Sequence, residues 1–145
     1  MKDIVLMEPK NICKKGDYMI YTSYFAMLRK LPSNIIPISI CAKVPQWYSG
    51  LQYKKLAPNY NLLMHWKQNY DENYYIKHFQ SEVLDKLQPR EVVLDLLTMI
   101  GNFKGIDYDP QIVLMCYEKS EDFCHRHLVA KWLNNSGYKT IELKI

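Results

Sequence analysis

The segment Gln111-Ile112-Val113-Leu114-Met115-Cys116-Tyr117-Glu118-Lys119-Ser120-Glu121-Asp122-Phe123-Cys124-His125-Arg126-His127 decides the fold class. Its first six residues form an apolar run after the turn signal Asp109-Pro110, which is what a central parallel strand needs when both of its faces are covered. Beyond the polar stretch, Leu128, Val129, Trp132 and Leu133 recur on one helical face from Cys124 to Asn135. Ser136-Gly137 ends that helix, and Thr140 to Ile145 alternates as an edge strand. Strand, polar loop, helix and strand in this order point to an α/β domain.

The same alternation is visible earlier in the chain. Tyr18 to Thr22 is a β-prone run, and Phe25, Leu28 and Leu31 then repeat at helical spacing after the capping residue Ser23. Ile36, Ile38 and Ile40 alternate with Pro37 and Ser39, and the proline marks an edge or irregular strand. Cys41 to Leu62 has no sustained period and reads as a long ordered loop. Asn73 to Leu87 carries a helical stripe of Tyr75, Ile76, Phe79, Val83, Leu84 and Leu87. A second helix opens at Pro89 and stops at Gly101, with Val92, Val93, Leu96, Leu97 and Ile100 on its buried face. The expectation is one domain over residues 1–145, with 1–17 as an irregular extension. Its core would be a mainly parallel sheet of about four strands flanked by helices in a Rossmann-like, three-layer arrangement.

Composition narrows the classes of function. The chain has 145 residues, of which 48% are hydrophobic, enough for one core. No stretch approaches the ~18 apolar residues that cross a bilayer, and the opening apolar run is too short for a signal peptide. A cytoplasmic protein without a membrane partner is expected, with Cys13, Cys41, Cys116 and Cys124 as thiols or ligands rather than disulfides. The net charge of +4 and a pI near 8.8 favour anionic partners, although no block of like charge concentrates the field.

In an open α/β sheet, ligands sit where loops leave the carboxyl ends of the strands, and Tyr117 to Phe123 is such a loop. The following helix leaves its first N–H groups unpaired and carries roughly half a positive charge at that end. Lys119 and Arg126 add cationic donors, so an anion pocket is the plainest functional reading. Each residue also has a structural account: Asp122 as a helix cap, Arg126 in an ion pair, Cys116 as a small buried hydrophobe.

Three chemistries remain open. Cys124, at a helix start beside His125, is a candidate nucleophile, but the arginine follows too closely for the C-x5-R loop of cysteine phosphatases. Glu118 is a candidate general base or orienting partner of His125. Zinc on Cys116, Cys124 and His127 is the minority alternative to a site without a metal or cofactor, because His125 and His127 point about 200° apart on a helix and do not share one ion. Aromatic residues between Trp47 and Tyr75 are interleaved with lysines. They are core and loop packing, or, for Trp47 and Tyr48, platforms that stack on a base.

Cys116-Tyr117-Glu118-Lys119 together with Phe123-Cys124-His125-Arg126-His127, Tyr21-Thr22-Ser23, the stretch Pro37 to Gly50, Leu56-Ala57-Pro58 and Tyr74-Tyr75 resembles the family called domain of unknown function 488, over about residues 18–145. The resemblance implies a small α/β protein of bacteria, archaea or their phages, with a polar site formed by the Cys-x-Glu and Cys-His-Arg motifs. It points to Ser23, Lys43, Glu118, Cys124, His125 and Arg126, with Lys67 and Tyr75 behind them. Broader members carry an aspartate and an arginine where this chain has Ser39 and Lys43.

The combined expectation is a small enzyme acting on a phosphate-bearing or other anionic substrate, with a nucleotide or nucleic acid favoured. Glu118, Cys124 and His125 would carry the reaction, and Lys119, Arg126, Lys43 and Ser23 would hold the anion. The alternatives are a non-enzymatic nucleotide- or nucleic-acid-binding module, and a protein that grips a partner with the Trp47/Tyr48 loop.

Overall fold

A computed structural model describes residues 19–104 and 111–144. The expectations for residues 1–17, Tyr18, the Asp109-Pro110 turn and Ile145 lie outside the described residues. The described chain forms a single α/β domain around a five-stranded sheet, all of whose pairings are parallel. The strands are β1 (Met19–Tyr24), β2 (Ile36–Ser39), β3 (Leu51–Gln52), β4 (Gln111–Cys116) and β5 (Thr140–Glu142), in the spatial order β3-β2-β4-β1-β5. The apolar run at Gln111 to Cys116 is the central strand that its composition demands. Ile112 to Cys116 are buried, with β1 on one side and β2 on the other.

Pro37 does not push β2 to the edge. Its carbonyl turns to the Tyr48 hydroxyl, and the ladder to β3 begins only at Ile38, so no sheet bond requires the missing N–H. β3 lies inside the Cys41 to Leu62 stretch, whose sequence reads as a loop. At two residues it is too short to show alternation.

The helices are α1 (Tyr60–Asn69), α2 (Glu72–Glu82), α3 (Pro89–Lys104) and α4 (His125–Asn135). They cover one face of the sheet. Leu62, Phe79, Val92, Leu96, Val129 and Leu133 pack there with Ile20, Ile36, Ile38, Ile112 and Leu114. The opposite face is covered, among the described residues, by the 3-10 segment Phe25–Lys30 and the loop after β2. This second layer is thinner than the α-helix expected there. Phe25, Leu28 and Leu31 stand three residues apart, a spacing that lines up along a helix of 3.0 residues per turn, and Pro32 stops it before it can lengthen.

α1 is the helix that periodicity missed, because only Leu62 is buried along it. Its caps make up for the weak pattern. The Asn59 side chain accepts from the Leu62 N–H at 2.8 Å, and Tyr70 closes the helix in the left-handed region at φ 51°. α2 starts on the Asp71 cap and ends at Glu82, short of the expected Leu87. Tyr75 and Phe79 are buried along it and Ile76 is exposed, while Val83 and Leu84 are buried beyond its end, where a 3-10 turn spans Leu84–Lys86. α3 continues past Gly101 to Lys104.

Candidate functional site

The chain leaves β4 at Cys116 and returns into α4 at His125, and a hollow of about 500 Å³ opens where these ends meet the turn after β2. Cys116, Tyr117, Glu118, Cys124 and His125 line it from β4 and α4, and Cys41 and Lys43 from the turn. α1 contributes Trp66 and Lys67, and α2 contributes Tyr75. The hollow therefore lies beyond the carboxyl ends of β2 and β4, where parallel sheets bind ligands.

One wall is aromatic. Trp66 lies 4.7 Å from Phe123 and 5.4 Å from Tyr70 between ring centroids, with Tyr75 behind at 5.7 Å. Tyr75 is buried, and burial raises its phenol pKa, so it stays a neutral donor. Tyr117 donates from its hydroxyl to the Lys43 carbonyl at 2.8 Å and ties the two loops together at the rim. Lys43 and Lys67 are exposed cations in the same lining, and Glu118 is the exposed carboxylate.

His125 is buried, and its Nε2 sits 2.7 Å from the Ile40 carbonyl. A carbonyl only accepts, so Nε2 carries the hydrogen and Nδ1 presents its lone pair to Cys116 Sγ, 3.5 Å away. Burial lowers its pKa to about 4 against the opposing Ile40 bond, with Arg126 and His127 adding to the lowering. The ring is thus neutral at physiological pH. Nε2 is engaged by Ile40, while Nδ1 lies beside a disulfide sulfur that carries no hydrogen to donate, and neither nitrogen is paired with Glu118.

Arg126 does not turn toward the hollow. It is fully buried, donates from Nε and Nη2 to the Glu142 carboxylate at 3.2 and 2.9 Å, and donates from Nη1 to the Glu118 carbonyl at 2.7 Å. Thr22 and Ser120 also donate to Glu142, each at 2.6 Å. Burial raises the Glu142 pKa, but these bonds outweigh it and hold the carboxyl below its usual range. The guanidinium pins the 117–123 loop and β5 to α4 with three of its five N–H donors, and it does not line the hollow where the anion role was expected.

Two more expected anion ligands also stand outside the lining. Lys119 is exposed on the loop. Ser23 is buried on β1 beside Met115, with a hydroxyl that finds no partner among the described residues. Trp47 and Tyr48 belong to the other face of the sheet. Tyr48 is buried against Phe25 and donates to the Leu51 carbonyl at 2.7 Å, and Trp47 is 61% exposed with its edge on Phe25. Neither stacks into the hollow, and Tyr48 is closed to a partner protein. Besides Tyr75 and Tyr117, the rings that line the hollow are Trp66 and Tyr70, from the aromatic stretch, and Phe123, from the polar loop itself.

The sulfurs correct one expectation. Cys116 and Cys124 are joined as a disulfide, and Cys41 is a free, buried thiol whose pKa burial pushes up to about 12. Cys124, rather than Asp122, is the N-cap of α4, and its side chain makes no capping bond. His127 takes no part in a cluster with the cysteines. Among the described residues, the groupings able to hold a metal are Cys41 with Cys116 and His125, and Cys116 with Glu118 and Cys124.

No helix among the described residues is long and apolar enough to cross a membrane. No curated protein and no solved structure matches the chain. A family model described as DUF488-N3a, the active DUF488-N3 subclade, matches residues 27–137, a span that contains the Cys-x-Glu and Cys-His-Arg segments and every residue lining the hollow. By that match the chain belongs to the DUF488 family.

Proposed function

We propose that this hollow binds a nucleotide or a nucleic-acid base and that the protein is a small enzyme acting on that anionic substrate. The observation that carries the reading is that Lys43 and Lys67 share one lining with Trp66, Tyr70 and Phe123. Flat aromatic faces accept any base, and ammonium groups beside them accept its phosphate. The volume of about 500 Å³ falls within the ~300–1,000 Å³ common for small-molecule sites. Glu118 is the exposed carboxylate within reach of a bound substrate, and its role is proton transfer. Once the bond between Cys116 and Cys124 is opened, His125 acts through Cys116, whose thiol its Nδ1 faces and accepts from. Cys124 becomes available as a nucleophile only when its bond to Cys116 is opened. The description of the matched subclade as active supports an enzyme. A cytoplasmic location is part of the same proposal.

The test is product analysis. Nucleoside monophosphates and short single-stranded oligonucleotides are incubated with the wild type and with Glu118→Gln, with and without a dithiol, and followed by mass spectrometry. A new product that Glu118→Gln forms at least a hundredfold more slowly, in the range general acid–base catalysis supplies, supports the reading. Saturable binding without any product would favour a non-enzymatic binding module. That alternative draws on the engagement of His125 and Arg126 in bonds within the fold.

A further inference from the structure

The lining of the hollow also holds a set of thiol and imidazole donors that take no part in gripping the base or its phosphate. Cys41 Sγ, Cys116 Sγ and a ring nitrogen of His125 all lie within 4.8 Å of one another, and all three residues are buried yet line the hollow. They come from three separate places: the turn after β2, the end of β4 and the first residue of α4. Thiolate and imidazole donors together select zinc and similar thiophilic ions over magnesium or calcium.

The imidazole is oriented as a ligand. Its Nε2–H is fixed on the Ile40 carbonyl, and its Nδ1 lone pair faces Cys116 Sγ at 3.5 Å. A ring that binds a metal through one nitrogen is held in this way by a backbone carbonyl on the other. With Zn–N of about 2.0–2.1 Å and Zn–S of about 2.3 Å at a tetrahedral angle, the two ligand atoms stand about 3.6 Å apart, close to the spacing observed.

We propose that Cys41, Cys116 and His125 Nδ1 form a zinc site that is open in the reduced protein and closed when Cys116 is bonded to Cys124. An external dithiol reduces the Cys116–Cys124 bond. Two electrons and two protons pass to the two protein sulfurs while the dithiol closes its own disulfide. Zinc then displaces the thiol protons of Cys41 and Cys116, which leave to solvent, and accepts the Nδ1 lone pair. Its fourth position faces the hollow, where Glu118 lies within 4.8 Å of the Cys116 sulfur. Three protein ligands with one open position are the arrangement of a metal that holds water or substrate.

The experiment loads zinc onto dithiol-reduced and untreated protein, removes excess ion and reductant without oxygen, and measures metal per chain. Cobalt(II) replaces zinc in a parallel sample to report thiolate ligation by charge-transfer absorption. One ion per chain is expected after reduction and none before it. Cys41→Ser should roughly halve the cobalt–thiolate absorption, and Cys124→Ser should bind the ion with or without the dithiol. Reduced wild type that retains no zinc, or Cys124→Ser that loses it, would overturn the assignment. The wild-type comparison needs no substitution, so a variant that fails to fold does not shield the proposal. It also needs no substrate, so the metal site and the nucleotide reading can fail separately.

Discussion

Glu142→Ala tests whether Arg126 is a structural clamp or an anion ligand. The arginine side chain is 0% exposed and that of Glu142 is 16% exposed, and the carboxylate accepts from Arg126, Thr22 and Ser120. Removing one partner of a buried ion pair costs about 3–5 kcal/mol, because the remaining charge stays uncompensated. Glu142 lies partly at the surface, so water reaches the gap and the lower end applies, about 3 kcal/mol. At ~2–4 °C per kcal/mol for a chain of this size, the midpoint of thermal unfolding should fall by roughly 6–12 °C. Urea unfolding followed by far-UV circular dichroism measures the free energy, and the double variant Arg126→Met/Glu142→Leu should recover most of the loss. A loss below about 1 kcal/mol would refute the reasoning, since it is what a solvated surface pair costs. Arg126 would then be free for the anion that the sequence motif suggests.

Acid should weaken the fold in two stages. His125 is neutral in the folded state with a pKa of about 4 against 6.5 unperturbed, so its contribution is complete above pH 6.5 and is lost as the pH falls toward 4. That window is worth about 3 kcal/mol at 1.36 kcal/mol per unit, and the depressed Glu142 carboxyl extends the loss below its ordinary range. Urea midpoints between pH 4 and 8 measure it, and a flat profile would contradict the buried, neutral ring. Tyr70→Gly should raise stability by about 1 kcal/mol, because a residue with a Cβ is strained at φ 51°, and should weaken nucleotide binding by removing one wall of the hollow. Thermal unfolding and titration on the same sample would show the opposed effects.

The sequence shows the sheet more plainly than the site. Ile112 to Cys116 is legible as a buried strand because both of its faces need cover, and the residues that mark α4 and β5 sit at helical and alternating spacings. α1 was hidden for the opposite reason. It buries little, and its cap at Asn59 follows a proline that breaks any longer pattern. At the site, the Cys-x-Glu and Cys-His-Arg motifs correctly mark two edges of the hollow. Motif chemistry alone could not show that Arg126 is claimed by Glu142, a residue 16 positions later. It equally could not separate Trp66 and Tyr70, which face the hollow, from Trp47 and Tyr48, which lie across the sheet. That distinction depends on which face each loop crosses, and periodicity is silent in loops.

The central claim is that aromatic and cationic groups from α1 and the β2 turn grip one planar anion. Titration of a nucleoside monophosphate followed by tryptophan fluorescence tests it most directly, in the wild type, in Trp66→Phe and in Lys43→Ala/Lys67→Ala. The account predicts saturable quenching that disappears in Trp66→Phe, with affinity reduced at least about tenfold when both lysines are removed, as befits charge-assisted bonds worth ~1.5–3 kcal/mol each. Quenching that survives in Trp66→Phe, or an affinity indifferent to the two lysines, would contradict it.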